Sequence, residues 1–141
     1  MKIKIIILLI LSLNSLMWAD FTRDDINGIV TDHNTTLQWQ DDSETPYLNW
    51  SQAISYCEAL SLGGYQDWRL PNLNEFYTIV NVSVLPPIDP VFQNTVSTYY
   101  WASTTRASLT SYGLGILFSD GRSGWSGKWT SAYVRCVRGE N

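Results

Sequence analysis

Two cysteines, Cys57 and Cys136, constrain this chain more than any other feature, because everything between them becomes one closed loop if they join. Whether they can join depends on the compartment, and the opening residues MKIKIIILLILSLNSLMWAD bear on that. Lys2 and Lys4 precede the apolar run Ile5 to Leu13, and the small Ala19 stands just before Asp20. This is the layout of a secretory signal peptide cleaved after Ala19, although Met17 sits where a small residue is preferred. Residues 1–19 are therefore read as a signal peptide and 20–141 as a single exported domain, periplasmic or at the cell surface. The other reading is an uncleaved anchor, for which the apolar stretch is short. No cysteine follows the run to carry a lipid, and no later segment is apolar enough to span a membrane. In an exported chain an even cysteine pair is most simply a disulfide. Closing a loop more than half the chain long stabilises the fold by ~4 to 5 kcal/mol in the chain-entropy model.

Charge and the scarcity of histidine exclude several functions. The full chain carries a formal net charge of -4 at pH 7, and loss of Lys2 and Lys4 makes the exported part more acidic still. Nucleic acid is a poor partner for such a surface, since that binding rests on neutralising phosphates. Two cysteines alone cannot complete a structural zinc site, and with His33 as the single histidine the remaining ligands would have to be carboxylates. Asp24, Asp25, Asp32, Asp41, Asp42, Asp89 and Asp120 are numerous enough to raise calcium, but none follows an EF-hand-like spacing. A structural calcium stays open; no cofactor or metal is predicted. His33 lies in a polar turn, and no nucleophile and base pair can be named around it, so no enzymatic activity is expected.

Along the chain, GIVTDHNTTLQW reads as a β-hairpin, with Leu37 and Trp39 on its inner face. NWSQAISYCEAL has Trp50, Ala53, Ile54, Cys57 and Leu60 at helical spacing, with Asn49 and Gln52 as a capping box and Gly63-Gly64 as the stop. A second helix starts at Asn72, with Glu75 at its third position and Leu73, Phe76 and Val80 inward. Pro86, Pro87 and Pro90 forbid regular structure across LPPIDP. STYYWAST, YGLGILFSDGRSGWSG and SAYVRCVRG then read as strands, with Asp120-Gly121 as a two-residue hairpin turn. Val134 and Cys136 share a face of the last run, which staples a terminal strand to the first helix. The fold class is α+β, two helices packed on an antiparallel sheet formed by both ends of the chain.

Between the helices, GGYQDWRLPNLNEF has a structural use for each residue: Trp68 fills the gap, Arg69 pairs with a carboxylate, and Pro71 blocks helix until Asn72. Together with FTRDDINGIVTD, LQWQ, NWSQAISYCEAL, PPIDPVFQN, YYWAST and YVRCVRG, this stretch resembles the Lcl C-terminal domain family, named for the end domain of a bacterial collagen-like adhesin. The resemblance covers nearly the whole exported part. It implies a C-type lectin-like fold with one disulfide between Cys57 and Cys136 and termini close together. In the founding adhesin the domain resembles a trimeric glycosaminoglycan-binding module, but fold membership does not carry function across. This chain has no collagen-like repeat to impose trimers. It also lacks the Glu-Pro-Asn and Trp-Asn-Asp motifs of calcium-dependent lectins, and its cysteines look committed to a bridge rather than to formylglycine-type chemistry.

The candidate ligand segment is SDGRSGWSGKWTS, residues 119–131, where Arg122, Trp125, Lys128 and Trp129 stand among glycines and serines. Glycan sites combine an exposed aromatic face with polar or cationic groups. The alternative is that both indoles fold back over the sheet, as large aromatics usually do. Tyr99, Tyr100, Trp101 and Tyr112 form a second patch, with Trp101 in the core. Only Arg122, Lys128, Arg135 and Arg138 cluster as cations, too few for a sulfated ligand except through a local patch. Asn34, Asn49 and Asn81 each open an N-x-Ser/Thr triplet. The expected function is an exported, non-catalytic recognition module for a glycan or surface protein. Its rival is a structural envelope protein acting through protein assembly.

Overall fold

A computed structural model describes residues 20–139; the signal-peptide reading of 1–19 falls outside them. Among the described residues, nine strands and two helices are arranged as β1 (Phe21–Asp24), β2 (Ile29–Asp32), β3 (Gln38–Gln40), β4 (Tyr47–Asn49), α1 (Trp50–Ala59), α2 (Leu73–Tyr77), β5 (Tyr99–Thr105), β6 (Tyr112–Leu117), β7 (Ser123–Gly127), β8 (Ser131–Tyr133) and β9 (Val137–Arg138). The fold is α+β, but the single antiparallel sheet expected from the sequence is two sheets, ordered β1-β2-β3-β9 and β4-β8-β5-β6-β7. The first joins both ends of the described chain. The second is mixed, because β5 meets β8 in parallel at Tyr100↔Tyr133. The last run splits for the same reason: β8 ends at Tyr133 in one sheet and β9 begins at Val137 in the other, with Val134 to Cys136 bridging them.

Two apolar clusters lie on opposite faces of β5, as alternation along a strand requires. Tyr100 and Ala102 face a cluster containing Trp39, Phe76, Ile79, Ile116 and Phe118. Trp101 faces the other, containing Ala53, Cys57, Trp68, Leu70, Val134 and Cys136. The Cys57–Cys136 disulfide lies inside this second cluster and ties α1 to the link between β8 and β9.

Both helices begin where their caps predict. Asn49 accepts from the Gln52 N–H at 2.9 Å, and Asn72 from the Glu75 N–H at 2.8 Å, each closing a capping box. The stop is different. α1 ends at Ala59 with Leu60 already extended, before Gly63-Gly64 is reached. Those glycines instead shape a turn bridged by Leu62 and Tyr65.

The stretch after that turn uses its residues internally. Trp68 is 2% exposed, and its indole N–H donates to the Leu62 carbonyl at 3.3 Å. It belongs to the apolar cluster that holds Ala53 and Cys57 of α1 and Trp101 of β5. The Arg69 guanidinium grips the buried Glu75 carboxylate through both nitrogens, at 2.7 and 2.6 Å, and also donates to the Gly139 carbonyl at 2.8 Å. Pro71 is buried, and its carbonyl accepts from the Ser103 N–H at 2.8 Å. Burial pulls the Glu75 carboxyl up, but hydrogen bonds from Arg69 and the Asn72 N–H, with the guanidinium charge, more than reverse this and leave it below its ordinary value.

Candidate functional site

The β6–β7 hairpin is where the sequence placed its candidate ligand segment. Its register pairs Tyr112 with Gly127, Leu114 with Trp125 and Ile116 with Ser123, so Tyr112, Leu114 and Trp125 project from one face. The opposite face carries Gly113 and Gly115. A Cβ at Gly113 would stand 2.9 Å from the Trp50 ring, and one at Gly115 only 2.2 Å from the Tyr100 carbonyl oxygen. Glycine on that face therefore makes room for aromatics arriving from α1 and β5. The bulky residues of the hairpin are left on the other side. Ile116 at one end of that side is covered by the core that includes Phe76 of α2. Nothing comparable covers Trp125 and Trp129, which are 55% and 66% exposed.

Three rings form the resulting surface. Tyr112 lies 5.3 Å from Trp125 and 5.3 Å from Trp129, edge-on to both at 73° and 79°. Trp129 reaches back over Gly127, where a Cβ would sit 2.4 Å from its ring, so glycine allows the indole to lie against the strand. Arg106 places its guanidinium 4.2 Å from the Trp125 ring centroid. The indoles thus do not fold back into the core.

The expected cation cluster does not form. Lys128 turns away, its ammonium 3.8 Å from the Trp50 ring centroid and 2.9 Å from the Thr105 hydroxyl. Arg135 is buried on Asp41, and Arg138 is held by Asp67 while stacking on Tyr65. Arg122 alone projects, 84% exposed and 4.0 Å from Asp120. Two members of the surface escaped the sequence reading. Tyr112 was grouped with Tyr99, Tyr100 and Trp101, of which Tyr100 and Trp101 are buried and Tyr99 is half-buried with its phenol pushed upward by burial. Only the hairpin register moves Tyr112 beside the tryptophans. Arg106 carried no sequence signal at all.

The turn also differs from expectation. Asp120-Gly121 lies within a longer connection, with Gly121 at φ 81 and its N–H on the Leu117 carbonyl at 2.7 Å. The strand stops early because Phe118 is pulled into the core against Phe76 and Tyr100. His33 is exposed and shares a 2.8 Å hydrogen bond with the Thr22 hydroxyl. Among the described residues no group of three or more His, Cys, Asp or Glu is placed to hold a metal ion, and no helix is long and apolar enough to cross a membrane.

The family model of the Lcl C-terminal domain matches residues 28–138. The chain belongs to that family. The match runs from the second strand to the last, so the disulfide and the aromatic hairpin both lie inside the Lcl C-terminal domain. Membership marks it as an adhesin-associated domain, and the disulfide fits an exported protein. No curated protein sequence matches the chain.

Proposed function

We propose that this Lcl C-terminal domain is an exported, non-catalytic recognition module of C-type lectin-like fold that stacks a neutral glycan on Trp125, Tyr112 and Trp129. One observation carries the reading: large rings of a glycine-rich hairpin stay exposed together while the nearby cations do not gather into a dense patch. Arg106 lies on Trp125, Lys128 on Trp50, and Arg122 beside Asp120. A sulfated ligand needs free, dense positive charge; a neutral sugar needs a ring face, and stacking survives salt.

The test is binding of the oxidised protein to a broad glycan array at moderate and high salt, with Trp125→Ala alongside. Salt-resistant binding lost in the variant is expected. Salt-sensitive binding would instead point to an anionic glycan, and absence of binding at both salts would remove the lectin role. The assembly reading rests on a separate feature, the exposed Val82 and Leu85 in the loop after α2. It predicts association in solution that Leu85→Ser abolishes and Trp125→Ala does not.

A further inference from the structure

A concavity of about 310 Å³ shares no residue with the aromatic surface. It lies between the β1–β2 turn, the segment following β3, and Asn94. Two adjacent carboxylates beside it are treated very differently. Asp41 is fully buried and accepts hydrogen bonds from Arg23, from Arg135 at 2.9 Å, and from the Gln93 and Asn94 N–H groups at 2.8 and 3.1 Å. Asp42 lines the concavity half-buried. Its Oδ1 accepts from the Gln40 side chain at 3.1 Å and from the Glu44 N–H at 3.3 Å. Among the described residues nothing donates to its Oδ2, and no arginine or lysine forms an ion pair with it. Burial above all pushes the Asp42 carboxyl up, with like charge from Glu44 and Asp41 adding to it, despite those two hydrogen bonds.

The walls are fixed, and their amide and guanidinium donors are engaged. Gly28, at φ 65, donates to the Asp24 carbonyl and accepts from the Asp41 N–H, both at 2.8 Å, and packs so closely that a Cβ would lie 2.6 Å from the Asp42 Cα. The Asn27 amide nitrogen is held by Asp24 at 2.6 Å and that of Asn94 by the Asp41 carbonyl at 2.8 Å. Arg23 is engaged by Asp25 and Asp41. Among the described residues the side-chain groups of the wall left without a partner are the Ser43 hydroxyl and four oxygens: Asp42 Oδ2, Asp25 Oδ2 and the amide oxygens of Asn27 and Asn94. Beside them Ile26 is 96% exposed, an apolar side chain with no core to serve.

We propose that this concavity binds a primary alkylammonium group, with Asp42 as its counter-ion, Asn27 and Asn94 as further acceptors, and its methylenes against Ile26. An ammonium brings three donors and a charge to a site that offers acceptors and an unpaired carboxylate. A metal ion is served less well, because Asp25 is already held by Arg23 and no further carboxylate joins Asp42 on the wall. The group can come from a free diamine or from a lysine side chain of a protein.

The test is titration of the purified oxidised protein with cadaverine and, separately, with N-acetyl-lysine amide, read by backbone amide NMR shifts. Saturable shifts are expected at Asn27, Asp42 and Asn94. Affinity should fall at least about tenfold in Asp42→Asn, which keeps an Oδ1 acceptor for Gln40 and Glu44. Ile26→Ala, at a fully exposed position, should weaken it severalfold, and Trp125→Ala should leave it unchanged. Tighter binding of cadaverine assigns a free diamine, and tighter binding of the lysine derivative assigns a protein partner. Absence of saturation at millimolar amine overturns the proposal. So does an Asp42→Asn variant that binds as tightly as the parent, or calcium saturating the same amides while the amines do not.

Discussion

The stretch from Gly63 to Phe76 and the hairpin from Tyr112 to Trp129 use the same vocabulary of glycine, tryptophan and arginine, yet they end in opposite states. In the first, Trp68 enters the disulfide-containing cluster and Arg69 closes on Glu75. In the second, Trp125 and Trp129 stay in solvent, and Arg122 projects 84% exposed, 4.0 Å from the Asp120 carboxylate rather than clamped on a buried one. Composition cannot separate them. The difference lies in what arrives on the inward side: helix α1 and the disulfide leave a slot shaped for Trp68, whereas Trp50 and Trp101 already occupy the space under Gly113. A ring with no vacancy beneath it remains a surface group, available for binding.

That contrast can be broken experimentally, and the largest effect belongs to the buried ring. Trp68→Ala should cost about 4 kcal/mol in urea unfolding, the penalty of a large cavity in a packed cluster. A loss near zero would mean that the slot is not a core. Arg69→Ala should cost about 2 kcal/mol by leaving a buried carboxylate without its main partner. Its pH profile sharpens the point. Because the folded Glu75 carboxyl lies below its ordinary value, the pair stabilises the parent protein above that ordinary value, and the stabilisation is lost as pH falls through the folded one. Arg69→Ala should show a smaller acid-side loss; an unchanged profile would remove Glu75 as the cause.

On the hairpin the expectations invert. Trp129→Ala and Trp125→Ala should each change stability by less than about 0.5 kcal/mol, while abolishing glycan binding on the array. A large destabilisation would place these rings in the structural class with Trp68. Gly127→Ala is the subtlest probe. Its methyl would meet Trp129 at 2.4 Å, so the indole should swing off the strand and binding should weaken with little change in the urea midpoint.

Much of this architecture was legible beforehand because it is encoded locally. The two capping boxes, the β2–β3 hairpin around Asp32 to Thr35, and the inward Cys57 follow from residues within a few positions of each other. The proline segment after α2 was equally plain. Helix α1 nevertheless ended before its glycines, since Leu60 turns extended once the helix has delivered Cys57 to Cys136. The split of the sheet into two was invisible, because sheet membership depends on partners far apart in sequence: β9 pairs with β3, and β4 with β8.

By itself the sequence determined both helix starts, most of the strands though not β1 or β4, the pairing of its only two cysteines and the segment in which to look for a site. The tertiary structure decided the state of each side chain in that segment: the exposure of Trp125 and Trp129, the recruitment of Tyr112 and Arg106, and the withdrawal of Lys128, Arg135 and Arg138 to other partners. The division has a physical basis. Caps, turns and periodicity are properties of neighbours along the chain, whereas burial and charge pairing depend on which distant atoms have already taken the space.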